Sequence, residues 1–131
     1  MDSFKFRKQE KLKSRKVIQQ LFRNRQSFSV FPLRVIWTEI NPPFNEYPVQ
    51  FAVSVSKRSF PKAVKRNRIK RIIREAYRLN KSILYQQLEE KNCQYGMMFL
   101  YIGKKEPTFA EIEKAVKKAI KLIPKKLDVE S

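Results

Sequence analysis

Eight lysines and arginines crowd the stretch from Lys62 to Arg78, where Glu75 is the single acid. Arginine carries a planar fork of N–H donors that matches phosphate oxygens, so the chemistry open to this stretch is anion binding. A charged helix face is ordinarily only solvated, because its acids and bases pair with each other. One acid cannot pair with eight cations, and a polyanion would relieve the remaining repulsion. We therefore predict that this stretch binds nucleic acid.

The same stretch has the periodicity of an amphipathic helix. At about 100° per residue, one face is apolar and contains Ile69, Ile72, Ile73, Ala76 and Ile83. The opposite face spans an arc of roughly 100° and contains Asn67, Lys70, Arg71, Arg74 and Arg78, with Arg66 and Arg68 on its two flanks. We predict a helix from Ala63 to Leu79, with a break before a continuation to Leu88.

The composition supports a single nucleic-acid-binding domain over residues 1–131. Lys and Arg number 30 against 12 Asp and Glu, a net charge of +18, and 42% of the residues are hydrophobic, enough for a core. No stretch approaches the length of about 18 apolar residues that a membrane span needs, and we expect neither a signal peptide nor a membrane partner. The single cysteine, Cys93, fits a reducing compartment, so we expect a cytoplasmic protein.

The residue types that usually perform hydrolysis are missing from this chain. It has no histidine, and its only aspartates, Asp2 and Asp128, lie at the two ends. Neither a zinc site nor a two-metal nuclease centre can be assembled from this set, and two glycines cannot form a phosphate loop. We expect no catalytic residue and no metal ligand in this chain. A DNA-binding helix-turn-helix is also disfavoured, because a strand rather than a short helix precedes Ala63.

The remaining patterns predict the order helix, strands, helix, strand, helix, which is a small α/β (α+β) two-layer sandwich. Ser14 is an N-cap candidate for a first helix that ends near Asn24. Pro32 interrupts the β-rich residues 27–40, which form either two short strands or one bent edge strand, and residues 95–102 form an apolar strand. A capping box of Thr108 and Glu111 begins a last helix that ends at Pro124. Residues 1–11 and 125–131 are expected to be flexible tails.

Residues 49–55 show the clearest strand pattern. Val49, Phe51, Val53 and Val55 alternate with small or polar residues that include Ser54. The apolar face belongs to a core, while the other face is open either to solvent or to a ligand. Phe22, on the first helix, likewise has two interpretations: it packs in a core, or it lines a nucleic-acid groove.

Two segments, SVSKR at residues 54–58 and AVKRNRIKRIIREAYR at residues 63–78, resemble the protein subunit of bacterial ribonuclease P. The resemblance extends over about residues 11–124. It implies an α–β sandwich with a left-handed strand–helix–strand crossover, an exception to the usual rule. It also implies a monomeric protein whose partner is a large catalytic RNA. That RNA holds the Mg²⁺ ions and removes the 5′ leader of precursor tRNA, while the protein binds the RNA and the leader.

The resemblance assigns roles to individual residues. Those that match the RNA-binding motif are Arg66, Asn67, Arg68, Lys70, Arg71 and Arg74. Those that match the leader cleft, between the first helix and the open sheet face, are Phe22, Ser54, Lys70 and Arg74. At Ile18 the family often has an aromatic residue, and Arg34 is a candidate to compensate for its absence. The alternative function is that of a structural, ribosomal-type RNA-binding protein without a processing role.

Overall fold

The computed structural model describes residues 6–24 and 26–130 of the chain. Its elements are α1 (Arg15–Asn24), β1 (Ser27–Val30), β2 (Leu33–Ile40), β3 (Val49–Val55), α2 (Ala63–Leu88), β4 (Gln94–Tyr101) and α3 (Phe109–Glu130). Short 3₁₀ turns lie at Lys8–Glu10 and Glu89–Lys91. The predicted order of helices and strands is confirmed.

The four strands form one mixed sheet in the order β1-β2-β4-β3. β1 and β4 are each antiparallel to β2, whereas β3 is parallel to β4. Parallel neighbours require a crossover connection, and α2 provides it between β3 and β4. Because it returns the chain to the starting end of the sheet, α2 runs antiparallel to β3.

The main core lies between one face of the sheet and the helices α2 and α3. The apolar face of β3 contributes as predicted: the Phe51 ring stacks on the Tyr77 ring of α2 at 3.7 Å, with an angle of 3° between the planes. Phe99 of β4 meets Phe51 edge to face at 4.9 Å. Such aromatic contacts add to the free energy gained by burying large apolar surfaces, so they fix α2 firmly against the sheet.

A smaller apolar cluster holds α1 on part of the opposite face of the sheet. Val17 and Leu21 of α1 pack there with Ile36 of β2 and Met98 of β4. The predicted N-cap is present, since the Val17 N–H donates to Ser14 Oγ at 3.3 Å. The rest of this face, along β3, is left uncovered by α1.

Gly96 of β4 lets α1 approach the sheet this closely. A Cβ atom at position 96 would lie 2.7 Å from Val17 Cγ1, inside van der Waals contact. We predict that Gly96→Ala lowers the free energy of unfolding by about 1–3 kcal/mol, as overpacking does. Urea denaturation measures the change.

Val17→Ala provides the internal control, because it removes the methyl group with which the new Cβ collides. In a double-mutant cycle, the two substitutions together should cost less than the sum of their separate effects. Additive costs would show that α1 does not rest against Gly96.

α2 differs from its prediction in being a single helix of 26 residues with no break. Ile83, assigned to the buried face, is 51% exposed. Along a long helix, the side that faces the core rotates slowly about the helix axis. The reason is that 3.6 residues per turn does not match a strict seven-residue repeat of contacts. Tyr77, Leu84 and Leu88 are buried instead, so the core-facing side of the second half is rotated away from Ile83.

The two ends of the domain also differ from their predictions. α3 does not end at Pro124 but continues to Glu130, with Leu127 buried in the main core. That burial holds the last turns in place although proline removes one backbone hydrogen bond. Residues 6–11, expected to be a flexible tail, pack against β3 and α2; residues 1–5 and 131 lie outside the described residues.

Candidate nucleic-acid interface

The basic face of α2 is presented to solvent as its periodicity predicted. Ile69, Ile73 and Ala76 are fully buried, whereas Arg71 and Arg74 on the opposite side are exposed. Asn67 is also exposed, and Lys70 and Arg78 are half-buried. The helix is therefore anchored along one side and free to bind along the other.

Glu75, the only acid on α2, is engaged by Arg78. The Arg78 guanidinium donates to both carboxylate oxygens, at 2.6 and 3.1 Å. The hydrogen bond from Arg78 lowers the pKa of Glu75 below its usual value. Within the described part of the chain, the side chains of Lys70, Arg71 and Arg74 have no ion-pair partner.

The two flanking arginines have structural contacts that the sequence did not indicate. Arg66 Nη1 donates to the carbonyl oxygens of Phe60 and Pro61, both at 2.8 Å, and so holds the loop before α2. Arg68 pairs with Glu106, in the loop after β4, at 3.0 Å. Arg68 therefore points toward the start of α3, a different side of α2 from Arg71 and Arg74.

A cleft of about 1160 Å³ opens beside the basic face. The α2 side of the cleft consists of Asn67, Arg71, Arg74, Glu75 and Arg78. Its floor and its α1 side are Phe51, Ala52, Val53, Met98 and Ile18. The opposite side is formed by residues 6–9 and 11–13, four of which are lysine or arginine. A groove with cationic walls and an apolar floor is suited to a single-stranded nucleic acid.

Of the four residues assigned to the cleft, only Arg74 lies among the residues that line this cavity. Phe22 lies one helical turn beyond Ile18, and Ser54 lies two residues beyond Ala52 on the same strand face. Lys70 precedes Arg74 by one turn. These three positions lie outside the cavity itself, and their assignment to the leader cleft stays a prediction.

Phe22 is 54% exposed, so its interpretation as a core residue is wrong. Its groove interpretation stays a prediction. Ile18 lines the cavity with an aliphatic side chain and packs partly on the α1 cluster. An aliphatic group supplies apolar contact but no aromatic ring on which a base can stack.

Arg34 lies on the same sheet face as Ser54. Both residues pair with Leu100, Arg34 from β2 and Ser54 from β3, so the three form one cross-strand row. Adjacent strands are about 4.8 Å apart, which places the exposed Arg34 within about 10 Å of Ser54. This position puts a cation near Ser54 on the face of the sheet that α1 covers in part.

The cleft wall formed by residues 6–13 was missed by sequence reasoning. The signal was present: Phe6 and Leu12 are apolar residues within a basic segment that was expected to be flexible.

Among the described residues, no group of three potential metal-ligating side chains comes together. No helix in residues 6–24 and 26–130 has the length and apolarity to cross a membrane.

Comparisons with known proteins identify the family of this chain. The family model for ribonuclease P matches residues 6–123. The chain belongs to the ribonuclease P protein family. A ribonuclease P protein component from Porphyromonas gingivalis is 37% identical over 121 residues, covering 90% of this chain and 85% of that protein.

Solved structures of ribonuclease P proteins share the fold. The protein from Staphylococcus aureus has a TM-score of 0.67 at 21% identity, covering 87% of this chain and 94% of that one. The protein from Thermotoga maritima has a TM-score of 0.66 at 18% identity, covering 86% and 96%. The chain is thus a protein component of ribonuclease P, an endoribonuclease in which it associates with an RNA subunit. A ribosomal-type role without processing is not supported.

Proposed function

We propose that this ribonuclease P protein binds the 5′ leader of precursor tRNA in the cleft between α2, β3 and the segment 6–13, while the RNA subunit performs the cleavage. The observation that carries the proposal is that Arg71 and Arg74 line the cleft without an ion-pair partner among the described residues. Unpaired guanidinium groups on a groove wall repel each other, and leader phosphates relieve that repulsion.

The residues that the structure describes offer no cluster of side chains that could activate water. Phosphodiester hydrolysis needs an activated nucleophile and stabilisation of charge on the scissile phosphate, and proteins usually provide both through metal ions or histidine. The sequence has no histidine, and the described residues form no carboxylate cluster that fits Mg²⁺. We therefore place the Mg²⁺ ions and the chemistry on the RNA subunit.

The protein contributes electrostatic screening and leader binding. Two polyanions, the RNA subunit and precursor tRNA, must approach each other, and a monomer with net charge +18 lowers their mutual repulsion. We assign contact with the RNA subunit to Arg66, Asn67, Arg68, Lys70, Arg71 and Arg74. We place this reaction in the cytoplasm, where precursor tRNA is transcribed.

A bulky side chain at Ser54 tests the cleft directly. Ser54 is half-buried on the uncovered face of β3, so Ser54→Phe should fill the groove. We predict a loss of about tenfold in holoenzyme affinity for precursor tRNA, the size of one lost stacking contact or phosphate pair. Affinity for mature tRNA, which has no leader, should stay the same.

Ser27→Phe is the matched control, since Ser27 is an exposed serine on β1, at the far edge of the same sheet. Binding of precursor and mature tRNA by reconstituted holoenzyme is measured for both variants. If Ser54→Phe lowers affinity for precursor tRNA and for mature tRNA by the same factor, this cleft does not bind the leader. Unfolding of Ser54→Phe would show that Ser54 faces the core.

A further inference from the structure

The N-terminal segment Phe6–Lys13 forms the cleft wall that faces α2. All of its residues except Glu10 line the cavity. Lys8, Lys11 and Lys13 are exposed, so the wall presents three ammonium groups across the groove from Arg71 and Arg74. The segment has no helix or strand longer than one 3₁₀ turn, so its position depends on its contacts.

A buried carboxylate fixes the middle of this segment. Glu10 is 0% exposed and accepts hydrogen bonds from Lys81 Nζ at 2.5 Å and from the Tyr85 hydroxyl at 2.6 Å. Its second oxygen accepts from the Arg7 backbone N–H at 2.7 Å. Both oxygens are therefore satisfied, and the Lys81 side chain is buried with them.

The tyrosines around Glu10 stay protonated donors. Burial raises the pKa of Tyr85 above its usual value, and burial likewise raises the pKa of Tyr77, whose hydroxyl lies 3.4 Å from that of Tyr85. The two hydroxyl groups therefore remain hydrogen-bond donors at neutral pH.

Apolar and backbone contacts fix the two ends of the segment. The Phe6 ring meets the rings of Phe51 and Tyr77 edge to face, at 5.9 and 6.0 Å. At the other end, the Leu12 N–H donates to the Phe51 carbonyl oxygen at 3.0 Å. Gln50 donates to the Gln9 carbonyl oxygen between them. The segment is held at both ends and at its centre.

A buried ion pair is a poor way to gain stability, because desolvation offsets most of its attraction, and apolar residues would often do as well. It does restrict the segment to one arrangement, since any shift of Glu10 breaks its buried ion pair with Lys81. Phe6–Lys13 carries four lysines and arginines besides Glu10. Repulsion from the basic face of α2 would otherwise drive them away from the cleft.

We propose that Phe6–Lys13 is an RNA-contacting wall of the cleft, in which Lys8, Lys11 and Lys13 bind leader phosphates and Glu10 is the positioning residue that holds them there. This inference rests on the proposed function of the cleft. It places cations that bind the leader on both sides of the groove. The leader then lies between α2 and Phe6–Lys13.

The test uses reconstituted holoenzyme and two precursor tRNAs, one with a leader of several nucleotides and one with a single-nucleotide leader. The triple variant Lys8→Ala/Lys11→Ala/Lys13→Ala keeps the anchoring side chains Phe6 and Glu10 and the backbone contacts of Gln9 and Leu12, and it removes one cation over the Phe6 ring. We expect its affinity for the long-leader precursor to fall at least about tenfold, with a log–log salt slope shallower by about 2–3. Affinity for the short-leader precursor should be unchanged. Lys114→Ala/Lys118→Ala/Lys121→Ala on the exposed side of α3 is the control of equal charge.

Glu10→Gln should reproduce the loss by releasing the segment, and adding it to the triple lysine variant should cost little more. A purely structural role would instead lower affinity for both precursors and for the RNA subunit. Phe6→Ala loosens the same segment and leaves the Glu10–Lys81 ion pair in place, so it is the alternative variant if Glu10→Gln does not fold.

An Arg71→Ala/Arg74→Ala variant separates this inference from the proposed function. If that variant weakens long-leader binding and the triple lysine variant does not, the wall proposal is wrong and the cleft proposal stands. If neither variant discriminates between the two leaders, the cleft does not bind the leader at all. A lysine variant that weakens both precursors equally overturns the wall proposal.

Discussion

At low millimolar Mg²⁺, addition of this protein to its RNA subunit should raise the rate of precursor tRNA cleavage by about 100-fold or more, whereas the protein alone should cleave nothing. The expected size follows from electrostatics: neutralising several phosphates changes the affinity between polyanions by orders of magnitude at low salt. Raising Mg²⁺ to tens of millimolar should shrink the difference, because free cations then screen the same repulsion.

The measurement is cleavage by RNA alone, protein alone and both together, across a Mg²⁺ titration. The Lys114→Ala/Lys118→Ala/Lys121→Ala variant serves as a control for charge that lies away from the cleft. Cleavage at the mature 5′ end by protein free of RNA, abolished by EDTA, would place the chemistry on the chain and overturn the assignment. A protein effect that does not depend on Mg²⁺ would contradict the screening argument.

Affinity for the RNA subunit should fall by about three orders of magnitude between 50 and 200 mM monovalent salt, as expected for six or more phosphate contacts. Lys70, Arg71 and Arg74 have no ion-pair partner in the described part of the chain, so binding sacrifices no internal ion pair at these positions. Arg78 is different, because phosphate must compete there with Glu75. Filter binding across a salt series measures the slope.

Each phosphate contact removed should make the log–log slope shallower by about 1. Arg71→Ala and Arg74→Ala should each do so, while Arg71→Lys, which keeps the charge, should retain most of the slope. Arg68→Ala should weaken RNA binding at little cost in stability, because its pair with Glu106 is more than half exposed on the arginine side. A wild-type slope shallower than about −2 would contradict a face of five contacting cations.

Local patterns predicted most of this fold. The alternation through β3 and the helical period around Ile69 and Ile73 each show which side chains share one face of an element. Sequence spacing alone determines that property. The capping box is another local signal: Glu111 N–H donates to Thr108 Oγ1 at 3.2 Å, and the Thr108 N–H donates to Glu111 Oε1 at the same distance. These features could be predicted because both partners lie within four residues.

The features that sequence reasoning missed join residues far apart in the chain. Glu10 and Lys81 are separated by 71 positions, and Arg68 and Glu106 by 38. No periodicity links such partners, since they meet only after the sheet has positioned α2. A basic segment with one acid therefore resembles a flexible tail in the sequence, although it becomes a cleft wall in the structure. The roles of the cleft and RNA-binding residues stay predictions.

The position of β4 limits when this protein can fold. β4 lies between β2 and β3 in the sheet, yet its residues follow both of them in the chain. While the ribosome is still synthesising residues before Gln94, β2 and β3 expose unpaired backbone edges that no earlier strand can cover. The nascent chain therefore has no stable half-domain to form early. Its sheet is completed only after Gln94–Tyr101 has emerged, so the domain cannot fold before β4 is available.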